Sequence, residues 1–140
     1  MEAWKLYAVL SAVFAALVAI LAKIGITGID SNLATAIRSI VILAITWGIV
    51  FCTVPLENIK TLSVKNWTFL ILSGIATGLS WLFYFKALQS GDASRVAPID
   101  KMSVAITIVL AFLILGETVR WQIVLGGCMI LAGSLLMLWK

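Results

Sequence analysis

The sequence predicts an all-α membrane protein, a bundle of five transmembrane helices with almost no soluble part, and three observations carry that prediction. First, 63% of its 140 residues are hydrophobic and only 11% are charged, with a mean hydropathy of +1.16. A soluble domain is typically about 45–50% apolar and about a quarter charged, so the apolar surplus cannot be hidden in a core this small and calls for lipid as solvent. Second, the chain divides into five stretches of the roughly 20 mostly apolar residues that a helix needs to cross the hydrocarbon, separated by short polar breaks. Third, Trp4, Trp67 and Trp121 each open an odd-numbered stretch and Trp139 closes the last, which places indole rings at the interfaces they favour.

The spans follow in order. Trp4–Ala22 is apolar after Lys5; Glu2 in its flank and its length argue against a cleavable secretory signal, so it reads as a true span. Asp30-Ser31-Asn32 supplies N-cap chemistry for a second helix, Leu33–Thr53. Pro55, Glu57, Lys60, Lys65 and Asn66 form the longest polar connection, leading to a third helix at Trp67–Leu88. Gln89-Ser90-Gly91-Asp92 is a stop and restart before a fourth helix over Ala93–Leu115. Gly116-Glu117-Thr118 makes a tight turn, and Trp121–Trp139 is the fifth. No segment reads as a linker, so residues 1–140 form a single transmembrane domain. Trp47 and Trp81 are the two tryptophans inside spans.

Composition excludes several function classes. The net charge of +4 comes from scattered single positives, whereas a nucleic-acid partner would call for a basic stripe. Histidine is absent, and Cys52 and Cys128 lie in unrelated apolar segments, so zinc, redox and cofactor roles have no ligand set. Without histidine or a paired carboxylate site there is no acid–base or nucleophile constellation, and an enzyme is not expected.

The stretch Ala87-Leu88-Gln89-Ser90-Gly91-Asp92-Ala93-Ser94-Arg95-Val96-Ala97-Pro98-Ile99, followed by Leu113-Ile114-Leu115-Gly116-Glu117 and by Gly126-Gly127 and Leu131-Ala132-Gly133, resembles the EamA-like repeat of the drug/metabolite transporter superfamily. The resemblance covers the five-helix layout, with its distinctive residues after Tyr84. It implies one repeat of an inverted-repeat transporter fold, where common members carry two, and it implies transport of small metabolites with substrate bound near the midplane. The related small multidrug resistance proteins use a carboxylate in the middle of their first helix; Trp4–Ala22 holds no such group.

A single repeat obtains its second by dimerising, and an identical inverted partner requires some copies to insert upside down. Lys5, Lys60, Lys65 and Arg120 flank one side, and Lys23, Lys86, Arg95 and Lys140 the other. By the positive-inside rule this even distribution gives a weak orientation signal, tilted toward the second side only if Arg38 and Lys101, inside helices near it, are counted. The expectation is therefore an antiparallel homodimer in the cell (plasma or inner) membrane, carrying a small-molecule substrate by alternating access. Half of a heterodimeric transporter, or a non-transporting membrane scaffold or subunit, remain as alternatives.

Ionisable groups within spans are functional candidates by default: Arg38, Lys86, Asp100 and Lys101. Arg38 and Lys101 lie near the N-terminal ends of their helices, where the side-chain lean lets them snorkel, and Lys86 suits a helix C-terminus. Asp100 cannot snorkel far. In a continuous helix its neighbour Lys101 points about 100° away, which favours Arg38 or Lys86 as its partner. Asp100 is either half of a structural ion pair or a pathway residue. Pro98 either interrupts the fourth helix or begins it. Trp81 and Tyr84 share a face, with Ser80 beside Tyr84 and Trp47 near from the second helix, which suits either a small-molecule pocket or plain packing. Trp47, Ser80, Trp81, Tyr84, Asp100 and Lys101 are the substrate-binding candidates. Glu117 with Arg120 at i, i+3, like Arg38 and Lys86, is assigned a structural ion-pair role. The glycines of the third and fifth helices allow close packing, the fifth being the candidate dimer contact.

Overall fold

The structure, a computed structural model, describes residues 2–139; Lys140, counted above among the flanking charges, lies outside them. The fold is all-helical, and no strand occurs among the described residues. The helices are α1 (Ala3–Gly25), α2 (Ser31–Thr53), α3 (Val64–Ser90), α4 (Ala93–Asp100), α5 (Ser103–Leu110) and α6 (Trp121–Leu136), with a 3-10 turn at Leu56–Thr61 and a π-turn at Ala111–Leu115. Four segments are long and apolar enough to cross a membrane: α1, α2, α3 and the Ala93–Leu115 run that contains α4 and α5. Most of their large apolar side chains face outward, as lipid solvation demands. Two compact units are present, one comprising the residues up to Lys23 together with those from Ser90 on, the other Ile24–Gln89.

In the first unit, the Ala93–Leu115 run is interrupted. Pro98 sits inside α4, where it lacks the N–H that would reach back one turn and its ring crowds the preceding carbonyl. Beyond it the backbone switches to i→i−3 bonds: Lys101 N to Pro98 O, Met102 N to Ile99 O, Val104 N to Lys101 O and Ala105 N to Met102 O. Of the two sequence readings of Pro98, the structure takes the interrupted helix. The Pro98 carbonyl also accepts a 2.8 Å hydrogen bond from Ser134 Oγ, whose residue on α6 is buried. The Pro98 carbonyl, which also accepts from Lys101 N, thereby gains a second donor from a neighbouring helix beside the break. Lys23, in the last turn of α1, donates through Nζ to Gly91 O at 2.8 Å.

The run ends at Gly116, whose φ of +67° lies in the left-handed region that a glycine enters without a Cβ penalty. Gly127 on α6 brings its backbone close to α5; a Cβ there would lie 2.8 Å from Ile108 Cδ1. The α6 helix ends at Leu136 rather than continuing to Trp139. Leu138 N and Trp139 N bond carbonyls three residues back, so the last turn tightens to 3-10 form. Its 16 residues rise about 24 Å, short of a hydrocarbon core about 30 Å thick.

In the second unit, Asp30 caps α2 by accepting from Asn32 N and Leu33 N through Oδ1. Gln89 Nε2, near the end of α3, donates to Ile29 O at 2.9 Å, tying that end to the loop before α2. The helices run antiparallel, with the start of α2 beside the end of α3.

Candidate functional site

The side chains that the sequence places inside the membrane assemble most clearly in the Ile24–Gln89 unit. Ser31, Thr35 and Arg38 stand three to four residues apart and share one face of α2, and Trp81, Phe85 and Leu88 do the same on α3. Ser31, Thr35, Phe85 and Leu88 are buried, and Arg38, Trp81 and Tyr84 partly so. Two hydroxyls on this side of α2 are satisfied locally: Thr35 Oγ1 donates to Ser31 O and Ser39 Oγ to Thr35 O, both at 2.8 Å.

Arg38 centres the group. Its guanidinium carbon lies 4.2 Å from the Trp81 ring centroid and 5.2 Å from that of Phe85, and Tyr84 stands edge-on to Phe85 at 6.3 Å. A cation over such rings gains on the order of 0.5–2 kcal/mol. Arg38 Nη1 is buried without a hydrogen-bond acceptor, and an unsatisfied buried donor costs about 1–3 kcal/mol. The two magnitudes are comparable, but the rings supply Nη1 with no acceptor, and the group would gain from an oxygen there.

The structure corrects several expectations. Arg38 does not need to snorkel, because aromatic faces receive its charge within the protein. Trp47 pairs with Phe51 one turn along α2, ring centroids 5.6 Å apart; nine residues beyond Arg38, it is displaced about 13 Å along the helix axis and does not join the group. Ser80 is exposed, as is Lys86. Phe85 was missed as a partner of Arg38, although its i, i+4 spacing from Trp81 was available to find it.

In the other unit, Lys101 Nζ lies 3.4 Å from Asp100 Oδ2. The pairing disfavoured for a continuous helix is made because the helix is not continuous: α4 ends at Asp100, and residues 101–102 form a turn. Both side chains are substantially exposed, at 37% for Asp100 and 54% for Lys101, so the pair does not lock a buried core. Glu117 and Arg120 do not pair. Residues 116–120 are non-helical, which removes the proximity that i, i+3 spacing gives on a helix. Among the described residues, no group of acidic, cysteine or histidine side chains is arranged to hold a metal ion.

These features define a multi-pass helical membrane protein with polar and aromatic groups set inside its spans. The family model of the EamA-like transporter family matches residues 3–139, and the chain belongs to that family. It is 46% identical over 136 residues to a Sinorhizobium sp. protein named an uncharacterized transporter in the cobO 3′ region, covering 97% of this chain and 96% of that one. It is also 31% identical over 93 residues to an uncharacterized protein of Methanocaldococcus jannaschii, covering 64% of this chain and 68% of the relative. No solved structure matches it.

Proposed function

We propose that the protein is a secondary transporter of a small metabolite or drug-like molecule in the cell (plasma or inner) membrane, working by alternating access as an antiparallel homodimer. Family membership and the transporter name of the Sinorhizobium relative support the class. The observation that carries the site is the Arg38–Trp81–Phe85 group, a charge held among aromatics between two spans, a setting in which ionisable residues are rare. Aromatic walls with a few oriented polar groups are what a small-molecule site requires, and Trp81 and Tyr84 are assigned to it. Asp100 and Lys101 are carried forward separately, as candidates for a role in transport within their own unit.

The dimer is supported by the single-repeat layout, four spans and a shorter apolar helix. The Sinorhizobium relative is of nearly equal length, too short for two such repeats, and the flanking charges of the present chain are evenly split. Two inverted repeats would then come from two copies, rocking about a site near the midplane.

The test is flux in proteoliposomes loaded with a mixed metabolite pool and assayed for counterflow. Trp81→Ala is expected to abolish uptake and Asp100→Asn to reduce it, both proteins remaining folded. Flux that neither substitution alters removes these assignments, and the absence of flux for any solute in the pool favours the scaffold alternative.

A further inference from the structure

Within the Ile24–Gln89 unit, Arg38 differs from the other polar groups on its face of α2. Thr35 and Ser39 have carbonyls to donate to, whereas Arg38 Nη1 is buried with none. Its guanidinium stays charged at any accessible pH and presents five N–H donors in a fixed plane. Neither α2 nor α3 contains an aspartate or glutamate, and Asp30, just before α2, directs Oδ1 to the backbone of Asn32 and Leu33. Arg38 makes no ion pair with a described residue. The rings of Trp81 and Phe85 stabilise its charge from their faces but offer no lone pair to an N–H. What this group would complete its bonding with is an oxygen acceptor carrying negative charge, for which a planar guanidinium is the best-matched side chain.

We infer that Arg38, backed by Trp81 and Phe85, is a receptor for an oxyanion, the carboxylate or phosphate of a small organic solute, and that the transported substrate is an organic anion. This deepens the transporter reading above and rests on it for the step from bound solute to cargo. The aromatic backing holds the guanidinium in place, and the charge of the guanidinium itself sets the selectivity, since a cationic solute would meet a like charge in a low-dielectric setting. An anionic lipid headgroup offers the same oxyanion chemistry, and the test separates the two sources.

The full-length protein is reconstituted in nanodiscs of phosphatidylcholine alone, and in a second set containing phosphatidylglycerol. Thermal unfolding is followed while benzoate, succinate and inorganic phosphate are titrated, with tetramethylammonium chloride as a cation control at matched ionic strength. The expected result is a saturable rise in Tm with at least one soluble anion in the neutral discs, lost in Arg38→Gln and weakened about tenfold in Arg38→Lys, which keeps the charge but not the fork. Should Arg38→Gln fail to fold, Trp81→Phe and Phe85→Leu are expected to lower the anion affinity while the guanidinium remains. An Arg38-dependent shift confined to the phosphatidylglycerol discs upholds the oxyanion receptor and assigns it to lipid, overturning the cargo step. No Arg38-dependent response to any anion in either disc, or an equal response to tetramethylammonium, overturns the proposal. Flux is read separately. Arg38-dependent binding without flux keeps the receptor and removes the carrier, and undiminished flux in Arg38→Gln does the reverse.

Discussion

The guanidinium of Arg38 on α2 lies 4.2 Å from the centroid of the Trp81 ring on α3, and this contact joins the two long helices of their unit through a charge and a π face. A double-mutant cycle with Arg38→Met and Trp81→Leu, read by denaturant unfolding in bicelles, is expected to give a coupling on the order of 0.5–2 kcal/mol. Additive effects would show the contact to be energetically silent.

Ser134 and Pro98 make the corresponding link in the other unit, hydroxyl to carbonyl at 2.8 Å. Ser134→Ala is expected to destabilise by about 0.6 kcal/mol, the typical worth of such a bond in a membrane protein, and by no more than about 1.7. Protease accessibility near the break at residues 101–102 is expected to rise, because the bond secures the helix beside it.

Gly126 and Gly127 are neighbours with opposite surroundings. A Cβ on Gly127 meets Ile108 Cδ1 at 2.8 Å, while one on Gly126 meets nothing within 4 Å. Gly127→Val is expected to cost about 1–3 kcal/mol through overpacking, and Ile108→Val, which removes Cδ1, to recover part of it. Gly126→Ala should stay within about 0.5 kcal/mol of the parent. Thermal unfolding of the four proteins side by side measures this.

Gly116 closes the Ala93–Leu115 run at φ +67°. Gly116→Ala is expected to destabilise by about 1–2 kcal/mol, the cost of a left-handed conformation with a Cβ, and Gly116→Asn by less, since asparagine tolerates that region. Equal losses in both would point to a packing role instead.

Much of this was legible in the sequence, for identifiable reasons. Apolar excess, interfacial tryptophans and the Asp30 cap depend on local chemistry, and the all-helical membrane fold follows from them. The Arg38–Trp81 contact was not legible, because it depends on which faces of α2 and α3 meet. Both residues were candidates, yet Tyr84 was favoured over Phe85 as the companion of Trp81, since a polar tip suggests a binding role and a phenylalanine suggests packing. Asp100 was assigned a distant partner on the assumption of a continuous helix. Pro98 carried the information that the helix breaks, but whether a proline begins or interrupts a helix is decided by the surrounding structure, here with Ser134 bonded to its carbonyl. Glu117 and Arg120 failed for the converse reason, a helical spacing applied to a segment that Gly116 turns out of the helix.

The central claim, a self-contained transporter assembled from two inverted copies, is tested most directly by the orientation of the C-terminus in cells. Fused after Lys140, a reporter active only in the cytoplasm and one active only outside it are expected to show comparable activities, because the flanking charges are evenly split and give only a weak orientation signal. Activity from one reporter alone would contradict the antiparallel homodimer and leave a fixed-orientation chain in need of a different partner.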